Sequence, residues 1–334
     1  MSLPSVLQNT LKLPVICSPL FIISNPDLVI AQCKAGVVGS FPALNARPEA
    51  ELDVWLERIT RELAEYKTAN PDAVVAPFAV NQIVHSSNDR LQHDVEMCVK
   101  YQVPIIITSL RAPNDVVGPI HSYGGLVFHD VINVKHAKKA IEAGVDGLIL
   151  VCAGAGGHAG QLSPFALVSE IREFYDGPII LSGSIAKGEQ ILAAQAMGAD
   201  LAYMGTRFIA THEANADQAY KQMLVDTNAD DIVYSNLFTG VHGNYLKPSI
   251  QNAGMDPNAL PEGDKSSMKF GSGGSNKSKA WRDIWGAGQG VGSIGAITST
   301  AEAVSKLEHE YASARARMQS IASPYTAPKS GEQA

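Results

Sequence analysis

The sequence predicts a (β/α)8 barrel, and three observations carry the prediction. Eight short runs of Val, Ile and Leu each precede a stretch with helical periodicity. The runs are apolar throughout rather than alternating, as in parallel strands covered on both faces. The pairs Gly183-Ser184 and Gly205-Thr206 directly follow the last two runs, where barrels of this kind bind phosphate. A doubly wound open sheet is the alternative if the strand count is off by one or two.

The strand candidates are residues 15–18, 37–41, 74–80, 105–108, 125–129, 146–151, 178–181 and 200–204. The helices between them cover 25–34, 48–67, 88–101, 114–122, 134–143, 164–175 and 188–197, and 214–227 follows the last strand. Asn25, Pro26 and Gly36 punctuate the first helix as N-cap, first-turn proline and C-terminal stop. Residues 228–285 break the alternation, with Pro248, Pro257, Pro261 and Gly-Ser-Gly-Gly at 271–274, a stretch without P-loop spacing that reads as a flexible loop. Residues 299–319 read as a terminal helix, with Leu307, Tyr311 and Ala314 on one face. The expected division is a barrel over 1–227, an irregular lid or substrate region over 228–298, a helix packed on the barrel over 299–319, and a frayed tail over 320–334.

Composition narrows the function classes. Of 334 residues, 46% are hydrophobic and only 18% charged, below the usual share of about 25% and far from the profile of a disordered chain. A net charge of −7 with no basic stripe argues against a nucleic-acid partner. The four cysteines at 17, 33, 98 and 152 have neither disulfide-framework nor zinc-ligand spacing, so a reduced, cytoplasmic protein without a metal is expected. No run approaches the roughly 18 apolar residues of a membrane span, and the N-terminus lacks a signal peptide's charged and apolar regions. The apolar content would suit a homodimer.

In such a barrel ligands sit where the strands end, so the residues just after each run are the site candidates. These are Ser18-Pro19-Leu20-Phe21, Asn81-Gln82, Thr108-Ser109, His129-Asp130, the loop Gly154-Ala155-Gly156-Gly157-His158-Ala159-Gly160, Gly183-Ser184 and Gly205-Thr206. Gly183 and Gly205 either allow tight turns or free backbone N–H groups for a phosphate. The loop at 154–160 has almost no side chains to clash with a flat ligand, and His158 is its candidate general base or hydrogen-bond donor. The run Gly286-Ala287-Gly288-Gln289-Gly290-Val291-Gly292 is either a closely packed turn or a cofactor contact. The apolar stretch Leu20-Phe21-Ile22-Ile23 suggests an apolar substrate pocket.

Taken together, Gly-Ala-Gly-Gly-His-Ala-Gly at 154–160, Leu-Ser-Gly-Ser at 181–184, Met-Gly-Thr-Arg-Phe at 204–208, Asn81 and the glycine run at 286–292 resemble the nitronate monooxygenases, formerly called 2-nitropropane dioxygenases. The resemblance runs over nearly the whole chain. It is shared in part with NADH:quinone reductases and flavin-dependent enoyl-ACP reductases. It implies an FMN-bound barrel that oxidises alkyl nitronates, and nitroalkanes, with O2 to carbonyl compounds and nitrite. Gly183, Ser184, Gly205 and Thr206 would then hold the FMN phosphate. Ser18, Pro19, Leu20, Asn81, Gly156, Gly157 and Gln289 would lie along the flavin, and His158 matches the family's catalytic histidine.

The chain departs from the family pattern at three places. Ser184 stands where a second glycine is frequent, Ser18-Pro19-Leu20 replaces Ala-Pro-Met, and His129 stands where a lysine often follows strand five, next to the flavin. Two other functions remain open: an NAD(P)H-dependent quinone or enoyl-thioester reductase, and a barrel without flavin that binds a phosphorylated metabolite.

Overall fold

The computed structural model describes residues 3–263 and 284–321. Eight parallel strands wrap into a barrel: β1 (Val15–Cys17), β2 (Gly39–Pro42), β3 (Phe78–Val84), β4 (Ile105–Leu110), β5 (Leu126–Val131), β6 (Gly147–Val151), β8 (Ile179–Ser182) and β9 (Leu201–Met204). A two-residue strand, β7 (Gly157–His158), belongs to a separate small sheet. The barrel order is β1-β9-β8-β6-β5-β4-β3-β2. The ring closes where the Cys17 N–H donates to the Val38 carbonyl at 2.8 Å and the Val38 N–H to the Val15 carbonyl at 3.1 Å.

The outer helices are α1 (Pro26–Ala35), α2 (Glu51–Ala69), α3 (Leu91–Lys100), α4 (Asn114–His121), α5 (Val134–Glu142), α6 (Pro164–Arg172) and α7 (Gly188–Ala196). Local chemistry sets their ends. Asn25 Oδ1 accepts from the Leu28 N–H at 2.8 Å, and Gly36 stops α1 in the left-handed region at φ 91°. Helix α2 buries Leu52, Leu56, Ile59 and Leu63 along one stripe, which seats it on the sheet.

After β9 the chain makes one turn of helix, α8 (Thr206–Ile209), and then α9 (Gln218–Asp226). The structure gives the eighth place in the outer ring to α11 (Thr300–Ser320), which packs on both α7 and α1. Its start is a capping box between Ser299 and Glu302. Between these helices lie β10 (Ile232–Ser235), β11 (Gly243–Leu246) and α10 (Lys247–Asn252). Strand β11 pairs antiparallel with both β10 and β7. The small sheet therefore ties the excursion to the loop after β6.

Two buried layers follow from strand alternation. Ile16, Val38, Ala79, Ile107, Phe128, Ile149, Ile180 and Leu201 fill the barrel interior, and Leu7 plugs it. Phe41, Val80, Ile106, Val127, Leu148, Leu150 and Leu181 face the helices. Strand β3 starts four residues later than the sequence suggests, because Pro77 cannot donate to a ladder and residues 74–76 only link α2 to the sheet. The glycine stretch at 271–274 and most of the expected tail lie outside the described residues. Among the described residues no helix is long and apolar enough to cross a membrane.

Candidate active site

Four loops converge at the carboxyl ends of β6, β8 and β9. The Thr206 hydroxyl accepts from the Gly288 N–H at 2.9 Å, and the Gly154 carbonyl accepts from the Gln289 N–H at 2.9 Å and the Ser184 N–H at 3.3 Å. A Cβ on Gly156 would stand 2.8 Å from the Gly288 nitrogen and 3.1 Å from Thr206 Oγ1. One on Gly154 would collide with Ser184 Oγ, and one on Gly205 with Ser18 Oγ. The glycine run at 286–292, open between turn and cofactor contact on sequence grounds, is thus packed directly on the glycine loop and on Thr206. Ser184 adopts a left-handed backbone, φ 57°, where a non-glycine residue is strained by roughly 1–2 kcal/mol. The first N–H groups of α8, which begins after Gly205, have no acceptor within the helix.

Period-two alternation places the mouth-facing side chains. Asn81 lies inside β3 rather than after it, and faces the barrel axis with Ala79. Its Nδ2 donates to Ser109 Oγ at 2.9 Å, and Ser109 Oγ donates to Asp130 Oδ2 at 2.6 Å. Asp130 follows Phe128 on the inner face of β5, and Tyr203 points inward from β9.

His129 therefore does not reach the mouth. It faces outward, away from Phe128 and Asp130, is 3% exposed, and pairs through Nδ1 with Thr108 Oγ1 at 2.8 Å. Burial, and then the nearby His136, push its pKa down to about 4. The expected cofactor contact at His129 is corrected to a neutral histidine between sheet and helices. Strand parity after Phe128 was the signal for Asp130.

His158 sits on β7, with Gly243 of β11 as its cross-strand partner. Its Nε2 lies 3.0 Å from Thr239 Oγ1. That hydroxyl also donates to the Val241 carbonyl at 2.9 Å. The Val241 N–H donates back to the same oxygen at 3.3 Å, so Thr239 ties the ring to the β10–β11 connection. Burial pushes the His158 pKa down to about 4. Ala155 and Ala159, on either side, belong to the barrel-interior cluster, and Tyr234 donates to the Ala159 carbonyl at 2.9 Å. The small sheet thus holds His158 at the mouth.

The loop after β1 is held by a residue that strand-end reading missed. Asn45 donates to the carbonyls of Leu20 (2.9 Å) and Ser24 (2.8 Å) and accepts from the Ile22 N–H at 2.9 Å. Ile22 is exposed and left-handed at φ 68°, whereas Ile23 is buried with Leu28 and Ile209. The run at 20–23 is therefore part mouth and part core. Asn45 follows β2 by three residues, so the rule applied to the other strands points to it as well. Arg207 is buried and donates to Ala296 and Thr298, a purely structural place.

The chain as a whole is similar to known proteins. The nitronate monooxygenase family profile covers residues 5–310. The chain belongs to that family. A nitronate monooxygenase of Paraburkholderia phytofirmans is 26% identical over 282 residues, spanning 73% of this chain and 76% of that protein. A (3aS,4S,5R,7aS)-5-hydroxy-7a-methyl-1-oxo-octahydro-1H-indene-4-carboxyl-CoA dehydrogenase of Rhodococcus jostii is 23% identical over 240 residues, and the match spans 72% of this chain and 64% of that protein. The structure of a nitroalkane oxidase from Streptomyces ansochromogenes superposes with a TM-score of 0.74 at 22% identity, covering 94% of this chain and all of that one. FabK from Thermotoga maritima gives 0.70 at 20% identity, covering 95% and 99%. At these identities the two structures establish the fold.

The nitronate monooxygenase family is flavin-dependent, and the residues of this member fit a flavin. Gly154, Gly156 and Gly205 line a surface from which any side chain would project into a neighbouring loop. Ser184, Thr206 and the start of α8 supply donors suited to a phosphate. Next to them the mouth presents amide, hydroxyl and carboxyl groups from Asn81, Ser109, Asp130 and Tyr203 above an apolar interior.

Proposed function

We propose that this nitronate monooxygenase family member binds FMN and oxidises alkyl nitronates, and the parent nitroalkanes, with O2 to carbonyl compounds and nitrite. The observation that carries the reading is the placement of a neutral histidine, His158, at the mouth beside the glycine-lined cradle. Gly183, Ser184, Gly205 and Thr206 would hold the phosphate. Ser18, Pro19, Leu20, Asn81, Gly156, Gly157 and Gln289 would hold the ring system and its chain. Bound FMN supplies the electron acceptor for the nitronate.

The protein's own part is binding, orientation and proton handling. His158 is unprotonated at neutral pH because burial holds its pKa at about 4. Its neutral imidazole would take the α-proton of a neutral nitroalkane, and Thr239 would hold the ring for that transfer. A nitronate has already lost that proton and needs only the hydrogen bond. The sheet of β7, β10 and β11 would limit water there.

The test is to purify the protein, identify its flavin, and mix it anaerobically with ethylnitronate and separately with NADH. Bleaching by the nitronate and not by NADH supports the reading. Rapid bleaching by NADH alone would move the assignment to a quinone or enoyl-thioester reductase. A colourless protein that takes up no FMN would leave a phosphometabolite-binding barrel. The expectations of a cytoplasmic location and a homodimer stay part of this proposal.

A further inference from the structure

Resting on the flavin reading, we propose that Asp130, held by Ser109 and facing the same barrel interior as Tyr203, is a positioning acid that donates a hydrogen bond to the bound flavin from inside the barrel. Asp130 has no part in the proton handling assigned to His158.

The geometry isolates one functional edge of this carboxyl group. Oδ2 accepts from Ser109, whose own hydroxyl is oriented by Asn81. Among the described residues Oδ1 has no hydrogen-bond partner and no solvent access, and the same holds for the Tyr203 hydroxyl. Both side chains extend from the inner face of the sheet, one from β5 and one from β9. Two shielded polar atoms without partners at the mouth of an otherwise apolar barrel cost stability unless a ligand satisfies them. A flavin ring carries both carbonyl and nitrogen acceptors along one edge, and suits a pair of O–H donors.

The donor must be the neutral acid. Burial raises the Asp130 pKa to about 7, and the Ser109 hydrogen bond opposes that rise. No cation offsets the burial. The groups that face it are Asn81 and Ser109 from β3 and β4 and Tyr203 from β9, whose hydroxyl is pushed upward by burial first and then by Asp130 and Cys17. His129, next in the chain, faces the other side of the sheet. Asp130 is thus protonated in slightly acid solution and ionised in slightly alkaline solution.

The experiment measures the dissociation constant of FMN from the apoprotein between pH 5.5 and 8.5, by flavin fluorescence, for wild type, Asp130→Asn and Ser109→Ala. The asparagine is a permanently neutral donor. The second ionisation of FMN phosphate, near pH 6, affects all three proteins alike and cancels in their ratios. The ratio of wild-type to Asp130→Asn affinity should be flat below about pH 7 and fall about tenfold per pH unit above it. In Ser109→Ala the break should move to higher pH, since the bond that favours the carboxylate is gone; this arm uses no substitution at Asp130. FMN binding with a flat ratio, or with a break that Ser109→Ala does not move, overturns the inference and leaves the flavin reading intact. Failure of wild type to bind FMN at any pH overturns both.

Discussion

The imidazole of His158 and the hydroxyl of Thr239, 81 residues apart in the chain, meet at 3.0 Å. One comes from the glycine loop after β6 and the other from the connection between β10 and β11. Their contact joins the glycine loop of the barrel to the excursion between α9 and α11.

That contact makes Thr239→Val informative. The change preserves shape and removes the hydrogen bond that holds the imidazole. Turnover of a neutral nitroalkane should fall by about tenfold or more, the scale on which a general base contributes. Turnover of the matching nitronate should change much less, because no proton is removed. Steady-state kinetics with nitroethane and ethylnitronate give the comparison. An equal loss on both substrates would make Thr239 a purely structural residue and take the base role from His158.

The glycine cradle gives a second outcome. In Gly156→Ala the new methyl group would lie 2.8 Å from the Gly288 nitrogen and 3.0 Å from the Ala287 carbonyl carbon. Backbone cannot rotate away as a side chain does, so the two loops must separate. Overpacking of this kind costs about 1–3 kcal/mol. The variant should purify with substoichiometric flavin and melt several degrees lower. Full flavin content at an unchanged melting temperature would show that the loops are not packed as described.

The barrel was readable because its strands are buried on both faces and end at turns marked by proline or glycine, so Ile105, Ile149 and Ile180 announce themselves without neighbours in view. The glycine clusters and His158 stood out as candidates for a similar reason: their composition fits no core. What a linear reading could not supply was orientation. His129 and Asp130 are adjacent and both polar, and only the parity counted from Phe128 decides which one enters the mouth. Thr239 was invisible because it depends on a strand pairing across 81 residues. The helix completing the outer ring was displaced along the chain because an excursion separates α11 from β9.

Ser184 combines a strained backbone with a proposed phosphate contact, and Ser184→Gly separates the two. Glycine adopts φ 57° without the Cβ penalty, so stability should be unchanged or higher by about 1 kcal/mol. The same change removes a hydroxyl donor from the proposed phosphate site. A hydrogen bond to a charged group is worth about 1.5–3 kcal/mol, so FMN should bind roughly tenfold more weakly or worse. Thermal melting of the apoprotein and a flavin titration should therefore move in opposite directions. Unchanged affinity would remove Ser184 from the site.

His129 predicts an acid-sensitive fold. Its folded pKa is about 4, against 6.5 for an exposed histidine, and the main cause is burial, with His136 adding to it. A depressed folded pKa means that the unfolded chain binds a proton first as pH falls. Stability is therefore intact above pH 6.5 and is lost between 6.5 and 4. The full loss is about 3 kcal/mol, of which about 2 kcal/mol has appeared by pH 5. His158, also held at about 4, acts in the same sense, whereas Asp130, raised to about 7, loses stability in the opposite direction, from pH 3.8 upward. Two groups against one leave the net slope acid-labile across this window. Replacing His129 by Gln removes one titrating group while keeping a polar partner for Thr108. The difference between urea unfolding free energies at pH 7.5 and pH 5 should shrink in the variant by up to about 2 kcal/mol, whatever the packing change does to each value alone. An undiminished difference would mean that His129 ionises as easily in the folded protein as in water, and would contradict its place between Thr108 and the helices.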